Sequence, residues 1–153
     1  MTVHIEPLAS LSATELEALV TESERDGWRF VRRLLDEWSS GQNRFVQPGE
    51  RLFGALSAGE LIGIGGLSRD PYEADTRIGR VRRMYVLRHW RRCGVGRRLM
   101  EQIIETARET YGELRLRTES AEAARFYKGL GFQARREEPH FTHVLSLEDA
   151  AKD

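Results

Sequence analysis

The chain is 153 residues long, 40% hydrophobic and 31% charged, enough for one domain with a hydrophobic core. Its 24 basic and 24 acidic residues cancel to a formal net charge of zero, so no global field draws it to nucleic acid or to an anionic membrane surface. The single cysteine, Cys93, excludes an internal disulfide, and no apolar run matches a signal peptide or a membrane span, so a soluble cytoplasmic protein is the expected class.

No repeat, low-complexity tract or Pro/Ser-rich linker divides the sequence, and residues 1–153 are expected to form a single domain. HIEPL (4–8) suits a short first strand. Ser12 and Glu15 have capping-box spacing, and Leu16, Leu19 and Val20 follow at helical intervals, which predicts a first helix. A second helix is predicted over 28–38, with Phe30, Val31, Leu34, Leu35 and Trp38 on its buried side. RLFGALS (51–57) and ELIGIGGL (60–67), joined by Ala58 and Gly59, predict an antiparallel hairpin. Gly54, Gly63, Gly65 and Gly66 weaken strand packing, so some other close contact must justify them.

Residues 68–79 form an acidic loop containing Pro71, and RVRRMYVL (80–87) then resumes the β pattern out of phase. Met84 and Val86 share one face by alternation while Val81 falls on the other; a bulge near Arg82 or Arg83 would put all three together. VGRRLMEQIIETARETYG (95–112) is a strong helix, with Leu99, Ile103 and Ala107 in one row and Met100 and Ile104 beside it. ELRLRT (113–118) alternates as a strand with Leu114 and Leu116 inward. Ser120 is the expected N-cap of a helix over 121–130, which Gly131 ends, and FQARR (132–136) and HFTHVLSL (140–147) complete the strands. The order indicates a mixed α/β domain.

RRCGVGRR (91–98) lies between a strand and the strong helix. The amides of Gly94, Val95, Gly96 and Arg97 therefore become the free donors of a helix N-terminus, which with the helix dipole suits a phosphate. Glycine lets that phosphate reach the backbone. A P-loop would need a lysine that is absent here, and a dinucleotide fingerprint would need glycine at Leu99.

Arg91-x-x-Gly94-x-Gly96 resembles the acyl-CoA pyrophosphate loop of the GNAT acetyltransferase superfamily, and SAEAARFYKGLGF (120–132) is similar to that family's second conserved segment. With the hairpin, the likeness covers roughly residues 50 to 145. It implies an α/β (α+β) fold whose mixed, mostly antiparallel sheet is flanked by helices and splays into a V between strands 4 and 5. It also implies that backbone groups of Met84, Tyr85 and Val86 pair with the pantetheine of acetyl-CoA, and that an N–H there polarises the thioester carbonyl. Arg91, Arg92, Cys93, Gly94, Val95, Gly96 and Arg97 would surround the pyrophosphate, chiefly through their amides.

By the same resemblance Tyr127 would protonate the departing thiolate. Ser120 stands where many relatives have an asparagine that contacts the pantetheine; its hydroxyl can still bond. Relatives often carry a glutamate base near Gly79 or Arg80, and neither residue can take a proton from ammonium. Glu119, His140, His143 or a water chain are the candidates. Cys93 sits in a variable slot facing the phosphates and has no assigned chemistry. The implied activity is direct acetyl transfer from acetyl-CoA to a primary amine, with another acyl-CoA donor or a non-catalytic CoA-binding module as alternatives. The expected partners are a small-molecule or peptide amine acceptor and a second copy in a homodimer, with no nucleic acid, membrane or metal. Trp28, Trp38, His140 and the acids Asp70, Glu73 and Asp75 are candidate acceptor-pocket residues.

Overall fold

A computed structural model describes residues 2–148. In chain order the elements are β1 (His4–Pro7), α1 (Ala13–Arg25), α2 (Phe30–Ser40), β2 (Arg51–Ser57), β3 (Glu60–Arg69), β4 (Ile78–Val86), a 3-10 turn (Arg88–Trp90), α3 (Val95–Arg108), β5 (Glu113–Leu116), α4 (Ala121–Gly129), β6 (Gln133–Ala134) and β7 (His143–Ser146). The strands form one sheet in the order β1-β2-β3-β4-β5-β7-β6. Among the described residues only the β4/β5 pairing is parallel.

Local signals account for most boundaries. Ser12 Oγ accepts from Glu15 N at 3.2 Å while Glu15 Oε1 accepts from Ser12 N at 3.1 Å, so the capping box closes and α1 starts there. The second helix begins at Phe30 rather than residue 28, and Phe30 is half-buried. The reason is upstream: Gly27 is left-handed at φ 85°, and Trp28 N donates to Ser23 O at 2.9 Å, which commits residues 26–28 to closing α1. Ala58 and Gly59, at φ 52° and 79°, make the two-residue turn of the β2/β3 hairpin. The last two strands are shorter than the sequence suggests, because residues 135–142 turn around Pro139 before β7 pairs with β5.

The hairpin glycines make room for neighbours. A Cβ on Gly66 would lie 2.7 Å from the Phe45 ring, one on Gly65 2.8 Å from Met84 Sδ, and one on Gly63 3.2 Å from Leu99. Those contacts let α3 and the segment after α2 lie close on opposite faces of the sheet.

The phase slip in β4 is a bulge. Arg82 pairs with Gly66 and Tyr85 with Ile64, so Arg83 and Met84 together oppose Gly65, and Arg83 takes φ 58°. Val81, Met84 and Val86 consequently join one core, with Leu99, Met100 and Ile103 of α3, while Tyr85 joins the other, with Leu16, Leu19 and Leu34 of α1 and α2. Each fully buried leucine or isoleucine here contributes about 1.5–3 kcal/mol. The sheet thus separates two apolar clusters. Beyond Arg80 and Arg115 β4 and β5 make no further pairing, and the sheet splits there into a V.

Candidate functional site

The Gly-Val-Gly segment enters α3 through two left-handed residues, Arg92 at φ 63° and Gly94 at φ 82°, with Gly94 as the N-cap. Val95, Leu99 and Met100 are buried and anchor the helix start against the sheet. Among the described residues no protein acceptor takes the N–H groups of Val95, Gly96 or Arg97, so they form a donor row at the positive end of the helix. A Cβ on Gly96 would meet Phe126 Cζ at 3.3 Å, whereas Gly94 faces open space. Gly96 is therefore bare because α4 presses on it; Gly94 is glycine because of its backbone.

The four arginines of this stretch divide. Arg92 and Arg97 are exposed, and among the described residues neither has a carboxylate within 4.0 Å. Arg98 donates to Val3 O at 2.8 Å. Arg91 turns inward: its Nε donates to Val86 O at 2.9 Å, its guanidinium lies 5.1 Å over the Tyr85 ring, and Nη2 is 3.9 Å from Glu22. Cys93 is exposed, with Sγ 3.5 Å from Arg91 O.

The V begins where β4 loses β5. Leu87 N donates to Ile62 O at 2.9 Å, so alternation turns the N–H and C=O of Met84 and Val86 away from β3, toward the open side. The side chain of Tyr85 points to the other face, where its hydroxyl donates to Glu22 Oε1 at 2.7 Å and burial raises its pKa. Glu22 also accepts from Arg88 N at 2.7 Å, and Arg88 pairs with Asp26. These contacts bind α1 to the strand end and loop. Glu22 has no role in the sequence reading, though its position three residues after Leu19 on the apolar stripe was the available signal.

Tyr127 is 6% exposed, between Phe126 and Phe132 at ring distances of 5.2 and 5.6 Å. Among the described residues nothing hydrogen-bonds its hydroxyl. Burial alone raises its pKa, so the phenol keeps its proton throughout the neutral range. Ser120 caps α4, its Oγ accepting from Ala123 N at 3.2 Å, with the hydroxyl proton still available to donate.

No base stands at the start of β4. Gly79 packs against the Tyr111 ring, 2.7 Å from an added Cβ, and Arg80 is buried with Nη2 donating to His140 O at 2.7 Å. Of the alternatives, Glu119 is tied to Arg117 at 3.2 Å and His140 stacks on Tyr72 at 4.1 Å. His143 is buried with Nδ1 2.8 Å from Thr142 Oγ1, and desolvation lowers its pKa. Trp38 is core and Trp28 half-buried against Phe30. Asp70 and Glu73 are neutralised by Arg80 and Arg115. A groove of about 730 Å³ runs elsewhere, under α1 beside Leu61, Ile62, Leu87 and Trp90. Among the described residues no helix is long and apolar enough to cross a membrane, and no group of three His, Cys, Asp or Glu could hold a metal.

Comparison with known proteins bears on this geometry. The acetyltransferase (GNAT) domain family matches residues 48–134, more than half of the chain. Over 104 residues the chain is 31% identical to the N-alpha-acetyltransferase RimI of Mycobacterium tuberculosis, a match covering 64% of this chain and 63% of that relative's length. A crystal structure of a proposed acetyltransferase from Exiguobacterium sp. 255-15 is 34% identical, with a TM-score of 0.82 over 95% of this chain and 94% of that one. An acetyltransferase of the GNAT family from Staphylococcus aureus Mu50, 17% identical, shares the fold at a TM-score of 0.78 over 96% of this chain and 100% of its own.

Proposed function

The chain belongs to the GNAT acetyltransferase family, and from that premise we propose that it acts as a single-domain N-acetyltransferase, moving an acetyl group from acetyl-CoA directly to a primary amine. The observation that carries the proposal is the donor row of Val95, Gly96 and Arg97 beside a split in the sheet where the Met84 backbone groups and the Val86 N–H face outward, Val86 O being held by Arg91 Nε. The residues present suit the cosubstrate: the donor row with Arg92 and Arg97 takes the pyrophosphate, and the freed β4 edge pairs with the pantetheine. When bound, acetyl-CoA supplies an activated thioester carbonyl.

The chain's part follows from its own groups. A β4 N–H beside the bulge faces the acyl oxygen and stabilises charge that develops there. The Tyr127 hydroxyl, a phenol protonated at neutral pH whose burial raises its pKa further, has no protein acceptor among the described residues and donates to the leaving sulfur. Glu22 and Arg91 position the loop. With Gly79 and Arg80 at the start of β4, the acceptor amine loses its proton to water rather than to a carboxylate on that strand. The similarity to an N-alpha-acetyltransferase favours an α-amine as acceptor.

An amine panel with acetyl-CoA, read by CoA release, tests the proposal, with Cys93→Ser as control wherever thiol reagents detect the product. Turnover of at least one amine is expected. Tight acetyl-CoA binding without turnover of any amine would make the chain a CoA-binding module, and faster transfer from longer thioesters would change the donor.

A further inference from the structure

The α1/α2 face of β4 carries three neighbouring arginines, because alternation places Arg80 and Arg82 there and the bulge adds Arg83. Two are committed. Arg83 Nη2 donates to Glu37 Oε1 at 2.9 Å. Arg80 donates to His140 O and lies 3.6 Å from Asp70 Oδ2. Arg82 is not: its contact is Ser68 Oγ at 3.5 Å, and among the described residues no carboxylate lies within 4.0 Å of it.

Arg82 is half-buried, and both desolvation and the adjacent Arg83 push its pKa down, so a cation is held here at a cost. A buried donor beside it is also left over, since Arg83 Nε has no hydrogen-bond partner among the described residues, while Arg80 Nη1 meets Asp70 Oδ2 at 3.6 Å. Such a cluster is stabilised when an anion completes it. Its place matters as much as its charge. β4 parts from β5 after Arg80, so Arg82 stands just inside the V, two residues before the Met84 backbone, on the sheet face opposite α3.

We propose that Arg82 binds a carboxylate of the acceptor, so that the substrate is a carboxylate-bearing amine, held by a guanidinium beside the acyl end of the cleft. This rests on the acetyltransferase reading for the role of the site but not for the binding itself. Calorimetry on the CoA-bound full chain tests the binding with two pairs of product-like probes. N-acetyl-L-alanine against its methyl amide reports an α-carboxylate, and N-acetyl-Ala-Glu amide against N-acetyl-Ala-Gln amide reports a peptide side-chain carboxylate. In at least one pair the acid should bind about tenfold tighter or more, the usual worth of a charge-assisted hydrogen bond. Arg82→Gln should abolish that preference, Arg82→Lys should restore part of it, and acetyl-CoA affinity should stay unchanged in both variants. Equal binding within both pairs, absence of binding by all four probes, or an equal loss for acid and amide in Arg82→Gln would each overturn the proposal. Turnover of the corresponding free amines separates the two readings: selective carboxylate binding without acetylation defeats the enzyme and leaves the site, whereas acetylation indifferent to carboxylate does the reverse.

Discussion

Tyr127 joins a buried ring to a hydroxyl that has no hydrogen-bond partner among the described residues, and that combination sets its expected behaviour. Phenylalanine would keep the packing against Phe126 and Phe132 and delete only the proton donor. Tyr127→Phe should therefore lower kcat and kcat/KM together by roughly a hundredfold, with acetyl-CoA binding nearly unchanged. Near-normal turnover in a folded variant, with chemistry shown to limit the rate, would return Tyr127 to the core. Because the folded pKa is raised, the protonated form persists beyond the unfolded value of about 10. Tyr127 thus adds no falling limb to the rate profile below that pH, and its contribution to stability is lost only as pH rises further. Gly96 is the second informative position. Gly96→Glu places a side chain against Phe126 and a negative charge among the helix donors, and should weaken acetyl-CoA binding about tenfold or more in a folded protein. Unchanged affinity by calorimetry would remove the loop assignment. The glycines and the tyrosine could be read from the sequence because their motifs carry spacing. The inward turn of Arg91 could not, since its partners, Val86 O and Glu22, depend on how the loop folds back.

The bulge in β4 is the element on which the cleft depends, and its left-handed residue is an arginine rather than a glycine. Arg83→Val puts a β-branched side chain at φ 58° and should cost about 1–3 kcal/mol of stability while also weakening acetyl-CoA binding. Arg83→Gly relieves the backbone, loses the Glu37 pair and should leave cofactor affinity intact. Denaturant melts with calorimetry distinguish them; equal affinity in both would mean that the bulge does not shape the cleft. The bulge was legible because Val81, Met84 and Val86 break alternation, and helices α1, α3 and α4 were legible from caps and apolar rows. The start of α2 was not, as it depends on Ser23 O capturing Trp28 N. Nor were the short β6 and β7, whose lengths follow from pairing to β5 rather than from their own composition. Of the acids named for the acceptor pocket, Asp70 and Glu73 are paired with Arg80 and Arg115, which come close only in the folded sheet, while Asp75 accepts from Arg77 N.

Across the whole molecule, β1–β4 and β5–β7 form two halves joined along the sheet by three residue pairs. A ligand lying in the V touches both. Acetyl-CoA at a hundred times its Kd should add about 2.7 kcal/mol of stability, raise Tm by several degrees and slow amide exchange in β5 as well as at the start of α3. Slower exchange confined to α3 would show that the ligand does not bridge the halves. The sheet also partitions the interior, with α3 and α4 on one face and α1 and α2 on the other, and the family match begins at residue 48, after α2 has ended. Among the described residues, α1 is tied to Tyr85 and the loop amide of Arg88 through Glu22, and α2 to Arg83 through Glu37, so any exchanged segment must bring both carboxylates with it.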